Sequence, residues 1–106
     1  MKLYHATTRT NLPSIQATGL RVANADPAAK LKGCWFHTAS QSPWAVVHTI
    51  RKHKASLTDV VVIEVSVSRR QLTRFKTGLW YSKSDIPNSK IGRVIDGTTF
   101  GASASE

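Results

Sequence analysis

The sequence contains very little cysteine and no long apolar run. Among its 106 residues Cys34 is the one cysteine, so no internal disulfide can form and one thiol cannot assemble a cysteine-based zinc site. No apolar run approaches the ~20 residues that span a bilayer, and the N-terminus lacks a basic stretch followed by an apolar one. We therefore expect a soluble, cytoplasmic protein without a membrane partner.

The motifs of several enzyme classes are also missing. The six glycines are isolated, which excludes a glycine-rich phosphate loop, and no serine lies in a Gly-x-Ser-x-Gly turn. The four histidines lack the spacing of a helical metal-binding pair, because His48 and His53 diverge around a helix. We expect no bound metal.

Acidic residues are outnumbered by basic ones. Fifteen Lys and Arg against six Asp and Glu give a net charge of +9. This excess favours a polyanionic partner, here DNA or RNA, because contact with phosphates releases counterions. The residues expected to contact nucleic acid or phosphate are Arg51, Lys52, Lys54, Arg69 and Arg70. The alternative is a solvated basic surface without a partner.

The pattern of apolar residues predicts one α+β domain over residues 1–96, followed by a flexible tail at 97–106. Alternating and β-branched runs predict strands at 2–6, 34–37, 59–67, 79–82 and 91–95. Prolines in the first turn and a terminal glycine predict helices at 10–18 and 43–54, and residues 23–32 have the composition of a loop.

The two predicted helices have defined inner faces. In the first, Leu12 and Ile15 are expected to face the core, and Gly19 is expected to end the helix. In the second, Ser42 is the expected cap, and the residues expected to point inward are Trp44, Val47 and Ile50.

Two stretches resemble the motifs of a known superfamily. Residues 3–20, LYHATTRTNLPSIQATGL, place a Tyr-His strand before a helix that carries Asn-Leu-x-x-Ile and ends in Gly-Leu. Residues 32–49, KGCWFHTASQSPWAVVHT, place aromatic residues before a serine-containing turn and a helix. In this order they resemble the first two motifs of the ADP-ribosyltransferase superfamily. The resemblance implies a small split β-sheet core with two short helices, and NAD as cofactor.

The resemblance also implies roles for individual residues. His5 would hydrogen-bond the ribose of NAD beside the backbone of Ala6 and Thr7, and an imidazole can both donate and accept at neutral pH. Trp35 and Trp44 would sandwich the nicotinamide, because a flat cation is attracted to aromatic faces. The other implied cofactor-binding residues are Phe36 and Ser42. The alternative is that His5 and both tryptophans are core residues.

Small ADP-ribosyltransferases that modify DNA or RNA, some of them toxins, share this opening and use a later Glu or Asp at the reacting centre. The resemblance implies NAD-dependent transfer of ADP-ribose, which is glycosyltransferase chemistry, to an anionic acceptor, with DNA or RNA expected. It implies His5 and Glu64 as catalytic residues, while Asp85 and Asp96 are the other nearby carboxylates. The catalytic acid is thus unidentified. A toxin role would imply an antitoxin or immunity partner, which the sequence does not identify.

Two alternative functions stay open. GLWYS at residues 78–82 and Ile86-Pro87 resemble, in order, the end of the RNA 2′-phosphotransferases, and Arg51 lies where those enzymes keep an arginine for phosphate. The sequence does not match the additional N-terminal lobe of those enzymes. The other alternative is a non-catalytic module of the same fold that binds NAD or nucleic acid.

Overall fold

A computed structural model describes residues 1–24 and 33–100 of the chain. These residues form β1 (Lys2–Thr8), α1 (Leu12–Thr18), β2 (Cys34–His37), α2 (Ser42–His53), β3 (Val60–Ser66), β4 (Leu72–Lys76), β5 (Leu79–Ser82) and β6 (Ile91–Asp96). Short 3₁₀ helices lie at Arg9–Asn11, Val22–Asn24, Ala39–Gln41, Leu57–Asp59, Arg69–Gln71, Asn88–Lys90 and Gly97–Phe100. The α+β class and the two short helices are confirmed. In this described part of the chain, no helix is long and apolar enough to span a membrane.

The strands form one antiparallel sheet in the order β4-β5-β2-β1-β3-β6. β1 pairs with β3 along its whole length, from Lys2 opposite Ser66 to Thr8 opposite Val60. The pairing of β1 with β2 is shorter and places Tyr4 opposite His37. The sheet therefore has a β4-β5-β2 half and a β1-β3-β6 half, joined where β1 meets β2.

β3 is covered on both faces, which explains its unbroken apolar sequence. Because alternate residues of a strand point to opposite faces, Val61 and Ile63 pack in the cluster on the α1 face of the sheet. Val60 and Val62 pack with Val46 of α2 in the cluster on the other face. One strand thus holds both helices against the sheet.

The inner face of α2 differs from the predicted one. Val47 and Ile50 are partly buried, but Trp44 is 47% exposed, so the expectation that Trp44 points inward is wrong. The buried residues of α2 have the i, i+3, i+4, i+7 spacing of another face: Ser42, Ala45, Val46 and Thr49. Their small side chains let the helix lie close to the sheet, and Trp44 is turned away from it.

The predicted tail begins later than residue 97. Gly97–Phe100 form a 3₁₀ helix in which Gly97 is buried, and Phe100 packs against the core cluster on the α2 face. The folded part of the domain therefore extends past residue 96. Residues 101–106 of the predicted tail and residues 25–32 of the predicted loop lie outside the described residues.

β4 was not predicted from the sequence. Leu72–Lys76 is an edge strand whose residues are exposed after Leu72. An edge strand with a largely solvated surface needs little apolar alternation, which is the pattern that reveals a strand in a sequence.

α1 ends at Gly19, as the sequence predicts. The backbone N–H of Gly19 donates to the carbonyl oxygen of Ile15 at 2.7 Å, and the φ angle of Gly19 is 81°. The next residue, Leu20, exchanges two backbone hydrogen bonds with Ile86, at 2.9 and 2.8 Å. A Cβ atom on Gly19 would overlap the carbonyl oxygen of Ile86. Glycine is therefore required both for the helix end and for this bridge.

Gly19→Ala should lower the free energy of unfolding by about 2 kcal/mol or more, since left-handed backbone disfavours an L residue and the new methyl group must displace Ile86. Urea unfolding followed by circular dichroism measures the loss. Gly92→Ala is the matched control, because its Cβ would lie 3.3 Å from the Glu64 carbonyl oxygen, a tight but relievable contact. An equal loss in both variants would contradict the role assigned to Gly19.

Candidate functional site

A cavity lies where β1 and β2 separate beyond the Tyr4–His37 pair. Its volume is about 930 Å³, near the upper end of the ~300–1,000 Å³ range of small-molecule sites. His5 of β1 and Trp35 of β2 line it, and α1, α2, β4 and β5 contribute the remaining walls. The gap between the two halves of the sheet is thus a chamber of ligand size.

His5 is fixed at the point of separation. Its Nδ1 lies 2.8 Å from the carbonyl oxygen of Trp35. A carbonyl oxygen only accepts, so Nδ1 is the donor and Nε2 of the neutral ring is unprotonated. Burial lowers the pKa of His5; the hydrogen bond to Trp35 opposes this, and the charge of Lys52 adds to it. At neutral pH His5 therefore brings a hydrogen-bond acceptor to the cavity.

Most residues that the resemblance assigned to the cofactor come together. The cavity is lined by His5, Ala6, Thr7, Trp35, Phe36 and Trp44. Ser42 is not on its wall: the side chain is buried and its Oγ lies 3.1 Å from Nε2 of His37. It makes no capping hydrogen bond either, because Gln41 occupies the N-cap position. Ser42 instead fastens the start of α2 to β2.

His37 is the buried partner of that contact and also lines the cavity. Burial lowers its pKa to about 4, with a further contribution from a positive charge on His5. His37 is therefore neutral throughout the ordinary pH range, and its role is to hold α2 in place.

The aromatic side chains at the cavity lie in two groups. Trp35 contacts Tyr81, with ring centroids 5.0 Å apart, and meets Phe75 edge-on at 5.2 Å. On α2, the rings of Trp44 and His48 are stacked, 5.2 Å apart and 15° from parallel. The two groups belong to different elements, so the cavity has an aromatic side chain on each side.

Of the Lys, Arg, Asp and Glu side chains in the described part of the chain, those that line the cavity are cationic. Arg21, Lys52 and Lys76 line it, and none of the carboxylates in residues 1–24 and 33–100 does. Opposite charge within a few ångströms favours an anionic ligand, and a cleft concentrates that field. The cavity therefore suits a phosphate-bearing molecule.

The candidate catalytic carboxylates lie elsewhere. Glu64 forms ion pairs with Lys2 and Arg93, at 3.5 and 3.7 Å. Asp85 accepts a hydrogen bond from the backbone of Val22 at 2.8 Å. Asp96 pairs with Arg9 at 2.6 Å. Glu64 and Asp96 thus have structural partners outside the cavity, whereas Asp85 also pairs at 3.8 Å with Arg21, which lines the cavity.

The basic residues expected to contact nucleic acid are dispersed. Lys52 lines the main cavity, and Lys54 lines a neighbouring groove of about 660 Å³. Arg51 is exposed on α2 outside both. Arg69 and Arg70 precede β4, where the guanidinium of Arg69 lies 5.9 Å from the ring of Trp80. The five cations therefore lie on two elements, α2 with its C-cap Lys54 and the 3₁₀ helix before β4.

Sequence reasoning missed several cavity residues. Those on α2 are His48, Thr49 and His53, and those on the edge strand are Phe75 and Lys76. A four-residue repeat, Trp44-His48-Lys52, could have revealed the α2 wall, because residues four apart share a face of a helix. Nothing local in the sequence connects Phe75 with that wall.

Within the described ranges, no group of three or more His, Cys, Asp or Glu side chains could hold a metal ion. Cys34 is buried, and burial raises the pKa of its thiol to about 11, with a further contribution from Asp85. A thiol of this kind is a poor nucleophile at neutral pH.

Neither a protein-family model nor a curated protein sequence matches this chain. The cavity and its side chains therefore carry the functional conclusion.

The buried neutral His37 should make the fold sensitive to acid. Because its pKa is about 4 in the folded chain and about 6.5 in an unfolded one, the unfolded state binds more protons between these values. Stability should consequently fall as the pH falls from about 6.5 towards 4.

His37→Gln should remove about 2 kcal/mol of the stability difference between about pH 7 and pH 5, measured by urea unfolding at both. A wild-type pH dependence in His37→Gln would show that another group is responsible.

Proposed function

We propose that this protein binds NAD in the cavity between β1 and β2 and transfers ADP-ribose from it to a nucleic-acid acceptor. The observation that carries the proposal is the setting of His5: an unprotonated ring nitrogen beside Trp35, in a cation-lined cavity of about 930 Å³. The two resembling motifs of the sequence supply these residues in the same order.

The residues present fit the parts of NAD. Nε2 of His5 can accept a hydrogen bond from a ribose hydroxyl. Trp35, whose ring also contacts Tyr81 and Phe75, brings aromatic surface to the wall where the cationic nicotinamide ring would lie. Lys52 and Arg21 are the cations suited to the diphosphate, and Arg21 also pairs with Asp85 at 3.8 Å. Trp44 is left out of this set because it is 47% exposed and stacked on His48.

The proposed transfer exchanges one bond at the ribose. The bond from C1′ to the nicotinamide nitrogen breaks with both electrons leaving on nicotinamide, and a nitrogen or oxygen of the acceptor bonds to C1′. The acceptor then loses a proton. Burial, together with the charges of Lys52 and His53, lowers the pKa of His48, so His48 is neutral at pH 7 and can take that proton. In this scheme His5 orients the ribose. The imidazole of His48 takes the role that the resemblance assigned to the carboxylate of Glu64.

One observation favours a second function, a non-catalytic NAD-binding module. Glu64 and Asp96 are engaged outside the cavity and Asp85 is engaged with Val22 and Arg21, so the group that usually assists this transfer is missing from the described wall. The phosphotransferase alternative has less support, because Arg51, on which it relies, does not line the cavity.

His5→Ala should weaken NAD binding by about 5- to 10-fold, because one hydrogen bond to the ribose is lost. Isothermal titration calorimetry measures this affinity, and urea unfolding shows whether the variant is still folded. Lys52→Ala should weaken binding by a similar factor through loss of a phosphate contact. Lys83→Ala, which removes the same charge from an exposed position outside the cavity, is its matched control and should bind NAD like the wild type.

Incubation with labelled NAD and DNA, RNA or 2′-phosphorylated RNA separates the functions. Release of nicotinamide with label on DNA or RNA supports transfer, and NAD binding without release identifies the non-catalytic module. Loss of the 2′-phosphate with formation of ADP-ribose 1″,2″-cyclic phosphate would identify the phosphotransferase. Absence of NAD binding to the wild type would overturn the proposal.

A further inference from the structure

We propose that the mouth of the cavity binds a single-stranded nucleic acid, with bases stacked on Trp44 and Phe75 and phosphates held by Lys52 and Lys76. This inference rests on the proposed function, because the bound strand would be the acceptor of ADP-ribose. It adds the class of acceptor and the side chains that recognise it.

The first observation is where the exposed apolar side chains lie. The large hydrophobic residues exposed in the described part of the chain are Met1, Trp44 and Phe75, at 48%, 47% and 51%. Trp44 and Phe75 both line the cavity. Two exposed aromatic rings at one cavity indicate a binding surface. Exposing such rings to water costs free energy that a bound partner would recover.

The α2 side of the mouth combines an aromatic ring with positive charge. Trp44 stacks on His48, with ring centroids 5.2 Å apart, and this contact holds the indole in place. Lys52 lies on the same face, eight residues or about 12 Å along the helix from Trp44. A base stacked on the exposed face of Trp44 would place the nucleic-acid backbone along the row formed by Trp44, His48 and Lys52.

The β4 side repeats the combination. Phe75 meets Trp35 edge-on, with centroids 5.2 Å apart and planes at 85°. The ammonium of Lys76 lies 5.9 Å from the centroid of Phe75. Because β4 is an edge strand, this ring and its lysine are at the border of the sheet, where a long ligand can reach them.

These two aromatic–lysine pairs match the chemistry of a single-stranded nucleic acid. Stacking on an aromatic side chain is tolerant of sequence because every base has a π face, and positive side chains beside it follow the phosphates. In a duplex the bases are already stacked on one another, so they cannot reach Trp44 or Phe75 without being unpaired. An acidic peptide would satisfy the lysines but has no flat base for each ring.

The experiment measures binding in the absence of NAD. Fluorescence anisotropy of a labelled oligothymidylate, an oligouridylate and a hairpin duplex, each of about ten nucleotides or base pairs, gives the affinities. We expect both single strands to bind more tightly than the duplex, and an oligoglutamate competitor to displace them poorly. Equal binding of the duplex, or efficient displacement by oligoglutamate, would overturn the proposal.

Variants locate the binding to the mouth of the cavity. Trp44→Ala and Phe75→Ala should each weaken single-strand binding by about 5- to 100-fold, and Trp44→Phe should restore most of the loss at its position. Both side chains are exposed, so unfolding midpoints should stay near the wild-type value. Unchanged affinity in both alanine variants would overturn the proposal.

The contribution of Lys52 and Lys76 is tested by comparing two double variants that have the same net charge. Lys52→Ala with Lys76→Ala should reduce the slope of log affinity against log salt by about 1.4, as two phosphate contacts are lost. Lys83→Ala with Lys90→Ala removes the same charge at exposed positions outside the cavity and should leave the slope unchanged. Equal slopes in the two double variants would show that net charge alone binds the strand, and would overturn the inference.

Failure of this inference can be told from failure of the proposed function. If the wild-type protein binds NAD but does not bind single strands more tightly than the duplex, only the proposed acceptor site is overturned. Single-strand binding that depends on Trp44 and Phe75 supports the inference, even in a protein that does not bind NAD.

Discussion

The hydrogen bond from the His5 ring to the Trp35 carbonyl is the contact on which the candidate site depends. A partly buried backbone carbonyl needs a donor, and in a continuous sheet the neighbouring strand would supply it. Here a side chain supplies it, so β1 and β2 can separate without leaving this carbonyl unpaired. The same bond selects the tautomer of His5, and it thereby links the shape of the cavity to its chemistry.

The rest of the fold keeps this opening in place. β3 is buried on both faces and holds β1 along its whole length, so the β1 side of the gap is rigid. On the other side, the His37–Ser42 contact ties β2 to the start of α2. The buried face of α2 is formed by Ser42, Ala45, Val46 and Thr49. On this rotation of the helix Trp44, His48 and Lys52 line the cavity. The exposure of Trp44 is therefore a consequence of packing elsewhere on the same helix.

The sequence predicts best the elements whose partners are local or whose pattern is strong. The β-branched run of β3, the strands β2 and β5, and the glycine that ends α1 need no knowledge of the tertiary structure. The rotation of α2 could not be predicted, because the apolar residues of α2 fit two faces and the contacts that distinguish these faces, such as His37 with Ser42, are tertiary. β4 was missed because an exposed edge strand has no apolar alternation.

The residues of the candidate site also fall into those that the sequence could assign and those that it could not. His5 and Trp35 come from short motifs, and they do meet at the cavity. Phe75 and Lys76 could not be assigned to it, because only the pairing of β4 with β5 brings them beside Trp35. Glu64 was chosen for its charge in an apolar strand, and its two ion pairs are interactions with residues on neighbouring strands that the sequence does not reveal.

The pairing of β1 with β3 also sets the order in which the molecule can be assembled. Leu3 lies opposite Val65, so the innermost strand of the sheet acquires its partner only after some sixty further residues have been synthesised. Contacts of this sequence separation close slowly compared with helix formation. Since Phe75, Lys76 and Leu79 also line the cavity, a ribosome-bound chain has no complete cavity wall until β4 and β5 have emerged as well.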